Sequence, residues 1–375
     1  MTDRLPPIPL IDLKAQHRSV ADEVQRGWSR VLENTSFVLG PAVAEFEQAF
    51  ARFSGVAHCA GVGNGTDALE LVLRAVGVAA GDEVIVPANT FIATALAVAR
   101  AGAVPVLVDC EPQTHLLSVS QVARRISPRT RAVFAVHLYG QMAPLEQLAP
   151  LAEKHGLLLL EDAAQAHGAS RQGRPAGGVG LAAGISFYPG KNLGAYGDGG
   201  AVLTSSAEID ARVRALRNYG SEVKYHHPEL GFNSRLDSLQ AVVLTAKLAH
   251  LAAWNEARRA AAARYHGLLG EARLEGVVLP ETAAGNVHVW HLYVIRVPRR
   301  DEVLKKLNAA GIGAGIHYPV PIHLQKSFAH LGHGPGDFPV AEQAAKEILS
   351  LPLFPEITEE QQARVVQELA RALGR

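Results

Sequence analysis

Lys191 stands in "SFYPGKNLGAYGDGG", residues 186–200, as the only cation among five glycines and a single acid, Asp198. Such a lysine is either the solvated head of a surface turn, since glycine supplies positive φ cheaply, or an amine presented on a tight loop to something bulky and anionic. About thirty residues earlier, "LLLLEDAAQAHG" ends an unbroken apolar run on Asp162, with Gln165 and His167 just beyond. A carboxylate at the carboxyl end of a buried strand lies where open α/β sheets bind ligands, and it is costly there unless paired. Its plainer use is a helix cap or a buried ion pair. A third stretch, "GVGNGTDALEL", runs a glycine-rich turn into a helix that opens on Gly65, Thr66 and Asp67. The free N–H groups and positive dipole end of such a helix suit a phosphate, and the Thr66 hydroxyl adds a donor. An ordinary N-cap would read the same way.

Two nucleotide-binding motifs fail on spacing. Gly61 and Gly63 are followed by Thr66 where G-x-G-x-x-G needs its third glycine. Around Lys191, Gly184 and Gly190 are separated by five residues rather than four, and Asn192 follows the lysine where a P-loop needs Ser or Thr. The histidines of "HVWH", "IHYPVPIH" and "HLGHG" lack HExxH spacing and an evident carboxylate partner, so no metal site is expected. His317, Tyr318 and His323 are expected to line a substrate pocket or simply to pack.

A phosphate-ready helix terminus, a buried aspartate and a lysine on a glycine loop are together what pyridoxal 5'-phosphate (PLP) requires. Its aldehyde joins a lysine amine, its phosphate needs backbone and hydroxyl donors, and its ring nitrogen needs an acid to keep it protonated. Phe91, in "NTFIAT", is then the expected aromatic against the ring, although a lone phenylalanine is more often core.

These groups must be held by a large scaffold. Between residues 65 and 204 helical patterns such as "GTDALELVLRAVG" and "TFIATALAVARAG" alternate with apolar strands such as "DEVIVP", "AVPVLVD" and "LLLLED". Strands without polar alternation are buried on both faces, as in parallel sheets covered by helices. From Arg235 a stretch of about thirty residues lacks glycine and proline, which predicts a long helix leaving the sheet. Beyond it, "VHVWHLYVIRV" is expected as a strand and "FPVAEQAAKEILSL" and "TEEQQARVVQELARALG" as helices. The expected division is a large PLP-binding α/β domain over residues 13–245 and a small α+β domain over 246–375, with residues 1–12 as an N-terminal arm.

Composition is consistent with this scaffold. The 375 residues are 48% hydrophobic and carry 36 basic and 36 acidic side chains, a net charge of +0. Nothing in that balance draws the chain toward nucleic acid or membrane. Two cysteines, Cys59 and Cys110, exclude a disulfide scaffold. The opening "MTDRLPPIPLIDL" lacks the regions of a signal peptide, so a cytoplasmic chain is expected.

The ordered motifs "FVLGPAVAEFEQAFARFSG", "GVGNGTDAL", "PANTFIAT", "VHLYGQ", "LEDAAQAHGA", "SFYPGKNLGAYGDGGAV", "GFNSRLDSLQAVVL" and "IHYPVPIHLQ" make the chain resemble the DegT/DnrJ/EryC1/StrS sugar aminotransferase family over almost its full length. The resemblance implies the PLP-dependent fold type I, like aspartate aminotransferase, with a mostly parallel central sheet in the large domain. It also implies a homodimer with active sites at the subunit boundary. By motif, Lys191 becomes the lysine that bonds the cofactor and Asp162 the partner of its ring nitrogen. Gln165 is placed at the ring hydroxyl, and Phe91 is placed against one face. Gly65, Thr66 and Ser186 hold the phosphate, joined by Asn233 from the neighbouring subunit. Tyr188, His317, Tyr318 and His323 are expected as substrate contacts.

Relatives with histidine in place of the lysine are dehydratases, so Lys191 argues for transamination. The resemblance implies L-glutamate as donor and a keto sugar nucleotide as acceptor, in amino-sugar biosynthesis, with ping-pong kinetics. "IHYPVPIHLQ" is similar to the 3-keto-sugar branch and favours the C3 keto group of a dTDP-3-keto-6-deoxyhexose. A 4-keto nucleotide sugar, a UDP-3-keto-hexuronate or a keto-inositol is the alternative acceptor, and a noncatalytic PLP-binding regulator is the alternative class.

Overall fold

The computed structural model describes residues 6–375. Its centre is a seven-stranded sheet made of β1 (His58–Val62), β2 (Glu83–Pro87), β3 (Val104–Val108), β4 (Thr130–Val136), β5 (Leu158–Asp162), β6 (Ala182–Ser186) and β7 (Gly200–Thr204). Their order is β1-β7-β6-β5-β4-β2-β3. Only β7 runs against its neighbours, pairing antiparallel with both β1 and β6. The remaining pairs are parallel. This is the mostly parallel α/β sheet expected, and the apolar strands are buried because helices cover both faces.

The first three helices are bounded by local chemistry. Helix α1 (Leu13–Glu33) starts on Asp12, whose carboxylate accepts the N–H groups of Lys14 and Ala15. Helix α2 (Pro41–Ser54) begins with proline at its first position and stops at Gly55, where φ is 67°. Helix α3 (Gly65–Ala75) is capped by the Asn64 side chain, which accepts the Asp67 N–H at 2.9 Å. Helices α4 (Ile92–Arg100), α5 (Val119–Arg125) and α6 (Leu145–His155) fill crossovers, and α7 (Ala207–Leu216) follows the last strand of the sheet.

The predicted long helix is α8 (Ser238–Ala272). The expected domain boundary at 245/246 falls inside this one continuous helix. Past it come β8 (Tyr293–Arg296), α9 (Arg300–Ala309), α10 (Pro339–Glu347), β9 (Ile348–Leu351) and α11 (Glu359–Leu373). Thr358 and Gln361 form a reciprocal capping box at the start of α11.

Two expectations change here. "ILSL" is not the end of a helix: Ile348–Leu351 is a buried strand that pairs antiparallel with β8. The strand expected over residues 287–297 is interrupted: Val287 pairs with Ser170 in a two-residue ladder, and regular pairing resumes at Tyr293. Upstream, the Val289 carbonyl accepts from Asn192 and the Trp290 carbonyl from Arg258, so neither joins a ladder. The described part of the arm packs on the C-terminal core. Residues 1–5 lie outside the described residues, while Ile8 is buried in the C-terminal core and its carbonyl accepts the Gly313 N–H. Among the described residues no helix is long and apolar enough to cross a membrane.

Candidate active site

The carboxyl ends of β4, β5 and β6 open onto a cavity of about 720 Å³ lined by Val136, Asp162 and Ser186. Ligands bind at this edge of an open sheet because the strand ends and the following loops leave a crevice there. Six expected cofactor residues meet in it besides Lys191: Gly65, Thr66, Phe91, Asp162, Gln165 and Ser186. Tyr188, His317 and Tyr318 line it as well. Two expected residues do not. Asn233 is exposed away from the cavity, beside Asn218. His323 is buried elsewhere, with its ring nitrogen 3.0 Å from Glu342 and its ring against Phe338, so within this chain it packs and contacts no substrate space.

Asp162 is held at the end of β5 by two donors. The Thr94 hydroxyl donates to Oδ2 at 2.7 Å and the Ala164 N–H to Oδ1 at 3.2 Å. Burial pushes the acid above its ordinary range, while Thr94, Ala164 and the nearby Lys191 pull the other way. Lys191 is the mirror case. Burial draws its amine down to about 8, opposed by the Asp162 carboxylate. At neutral pH such an amine is still mostly protonated, yet it releases its proton far more readily than a solvated lysine.

The loop carrying Lys191 turns because its N–H bonds to the Tyr188 carbonyl and Ala195 N–H returns to Phe187. Glycine matters here through close approach: a Cβ on Gly194 would lie 2.3 Å from the Pro189 carbonyl oxygen. Gly65 is required for a similar reason, since its Cβ would meet the Ser186 Cβ at 2.5 Å. The opening of α3 is thereby pressed against Ser186, which puts a hydroxyl beside the unpaired first N–H groups of the helix.

Gln165 bridges two elements. Its Oε1 accepts the Tyr139 N–H at 2.6 Å and its Nε2 donates to the Tyr318 hydroxyl at 3.0 Å. Tyr318 in turn lies 5.0 Å from the Phe91 ring, and Phe91, 48% exposed, faces the cavity rather than the core. The Tyr139 hydroxyl donates to the His317 carbonyl. Burial and the Lys191 charge lower His317 to about 4, so it is neutral at pH 7.

Sequence reasoning missed several residues at this site. Thr94 was inside the quoted "NTFIAT" but carried no assigned role, and His137 and Tyr139 were inside "VHLYGQ". His137 lines the cavity with its Nε2 2.7 Å from the fully buried Glu161. Leu10 and Ile11, from the N-terminal segment, also reach the cavity wall. A polar residue within a short motif of ordinary-looking sequence was the only available signal.

The residues fit PLP. The cavity is of ligand size, the α3 terminus and Ser186 offer donors for a phosphate, and Asp162 retains accepting capacity beyond its two bonds. Lys191 supplies an amine easily made neutral.

Known proteins resemble the whole chain. The chain is 48% identical over 363 residues to a pleiotropic regulatory protein of Geobacillus stearothermophilus, covering 97% of this chain and 98% of the relative. It is 47% identical over 361 residues to the dTDP-3-amino-3,4,6-trideoxy-alpha-D-glucose transaminase of Streptomyces venezuelae, covering 96% and 95%. The solved structure of S. venezuelae DesV in complex with a ketimine intermediate matches with a TM-score of 0.96 at 46% identity, over 99% of this chain and 100% of that one. The model of the DegT/DnrJ/EryC1/StrS aminotransferase family matches residues 19–370, and the chain belongs to that family.

Proposed function

We propose that this PLP-dependent aminotransferase moves an amino group from L-glutamate to the C3 keto carbon of a dTDP-linked 3-keto-6-deoxyhexose, as a homodimer. The observation that carries the reading is the meeting of Lys191 and Asp162 in one cavity with the α3 terminus. The acceptor rests on the name of the Streptomyces venezuelae relative. The division into residues 13–245 and 246–375 is part of the same proposal.

When bound, PLP supplies an aldehyde carbon and an electron-accepting ring that carry an amino group between two carbonyl compounds. The chain's own residues do the rest. Gly65, Thr66 and Ser186 would hold the phosphate, with Asn233 of a second subunit completing it. Asp162 would pair with the ring nitrogen as a charge-assisted hydrogen bond. Gln165 and Phe91 would fix the ring in its plane. Lys191 Nζ, once free, would take a proton from the α-carbon of glutamate and later return one to C3 of the sugar. Its lowered proton affinity makes the neutral amine accessible near pH 8. Tyr188 at the rim and His317 beside Lys191 are the proposed substrate contacts.

A spectrum of the purified protein before and after glutamate tests the class. Loss of the visible band of the lysine-bound cofactor supports transamination, and a band indifferent to glutamate supports the regulator suggested by the Geobacillus relative. Incubation with dTDP- and UDP-linked 3-keto and 4-keto sugars, followed by mass, tests the acceptor.

A further inference from the structure

Helix α8 buries three polar side chains on one face: Lys247, Asn255 and Arg258 are 1%, 3% and 2% exposed. At 3.6 residues per turn their spacing of eight and three residues keeps all three within an arc of about 80°. Two of them grip the loop that carries Lys191. Lys247 Nζ donates to the Gly194 carbonyl at 2.7 Å and sits 4.5 Å over the Tyr196 ring. Asn255 Oδ1 accepts from Asn192 Nδ2 at 2.9 Å, and its Nδ2 donates to the His167 carbonyl at 2.8 Å. His167 Nε2 donates in turn to the Ser186 carbonyl at 2.9 Å.

Asn192, the residue after Lys191, is held by three bonds. Its two N–H groups go to Asn255 and to the Val289 carbonyl, and its Oδ1 accepts from His291 Nδ1 at 3.2 Å. A buried amide held by bonds to three separate partners keeps one geometry, since any rotation breaks several bonds at once. Lys247 is the more telling case. Among the described residues no carboxylate pairs with it, and burial draws its amine down to about 8, the solvation cost of an interior ammonium that an apolar side chain of the same length would avoid. Stability alone does not account for a lysine there.

We infer that Lys247 and Asn255 are positioning residues, which hold the loop just after Lys191, at Asn192 and Gly194, so that its amine meets the cofactor in one fixed orientation. The inference rests on Lys191 being the cofactor lysine. Arg258 serves as the internal control, because it donates to the Trp290 and Leu353 carbonyls rather than to that loop.

The test compares Lys247→Met, Asn255→Ala and Arg258→Met. In full-length protein freed of cofactor, acylation of Lys191 is followed against pH by mass spectrometry of its peptide. With the grip intact the midpoint falls near 8. A loosened loop lets water reach the ammonium, so both loop variants should move the midpoint up by about one pH unit toward the ordinary lysine value, and Arg258→Met should leave it in place. In the holoenzyme kcat should fall on the order of tenfold or more in the loop variants with KM for glutamate little changed. Unmoved midpoints in both loop variants would overturn the inference. If Asn255→Ala does not fold, Lys247→Met decides alone. Lys191→Ala separates the underlying reading: a visible band that survives it removes Lys191 as the cofactor lysine, whereas its loss with unmoved midpoints removes only the role of α8.

Discussion

The Thr94 hydroxyl on α4 donates to Asp162 Oδ2 at 2.7 Å, tying the acid at the end of β5 to the helix that follows Phe91. The Thr90 hydroxyl lies 2.9 Å from that of Thr94 and, with the Thr94 proton committed to the carboxylate, acts as its donor. Two hydroxyls in series thus stabilise the charged form of an acid that burial pushes toward its neutral form.

Thr94→Val keeps the shape and removes that donor. Asp162 is already raised by burial, so losing a bond to its charged form should raise it further. The acidic limb of the kcat/KM profile should move to higher pH, and cofactor should be retained less well, by about 1.5–3 kcal/mol for a hydrogen bond to a charged group. A pH profile and a cofactor-retention assay check this. A superimposable profile would show that Thr94 does not tune the acid.

Asn233 is exposed and outside its own cavity, so an effect on cofactor must come from across a dimer. Asn233→Ala should weaken retention. Mixing Asn233→Ala subunits with Lys191→Ala subunits should recover activity, because some mixed dimers then contain one unaltered site. No recovery after verified subunit exchange would count against a shared site.

Glu161 lies behind Asp162 and is fully buried. Its carboxylate accepts the N–H groups of Gly177, Val179 and Gly180 at 2.7, 2.9 and 2.5 Å, besides its contact with His137. Burial pushes its proton affinity up, but the His137 bond and these backbone donors outweigh it and leave it lowered. Glu161→Gln should destabilise the fold by about 2–4 kcal/mol, since one amide oxygen cannot serve four donors. Urea unfolding at pH 7 measures it, and a change below about 0.5 kcal/mol would contradict the account.

His115, His167 and His288 are buried, and burial lowers them to about 4, 3 and 3. The unfolded chain takes up these protons below about pH 6.5 while the folded chain does not, so stability is lost as pH falls from about 6.5 toward 4. Each histidine contributes a slope of at most about 1.4 kcal/mol per pH unit. Unfolding curves at pH 7, 6 and 5 should show the decline, and removing one of these histidines should flatten it. A stability that rises on acidification over that window would refute the assignment.

Much of the site could be read from short windows. The Lys191 loop, the acid ending "LLLLED" and the opening of α3 each advertise themselves through neighbours in the chain, because strand ends, glycine turns and helix starts are local events. Their convergence follows from the α/β pattern, which sends consecutive strand ends to one edge of the sheet. "ILSL" failed for the converse reason. A four-residue apolar run suits either a helix or a strand, and pairing with Tyr293–Arg296 decides between them. His323 failed because nothing near it in sequence revealed Glu342 as its partner.

By itself the sequence determined the kinds of chemistry available: one amine on a tight loop, one strand-end acid, one helix terminus fit for phosphate. Only the tertiary structure decided who supports them. Thr94 reaches Asp162 across 68 residues, Asn255 reaches Asn192 across 63, and Gln165 reaches Tyr318 across 153. Partners so far apart are chosen by which elements the sheet order and α8 bring together, and a hydrogen bond that depends on such placement leaves no trace in the residues beside it.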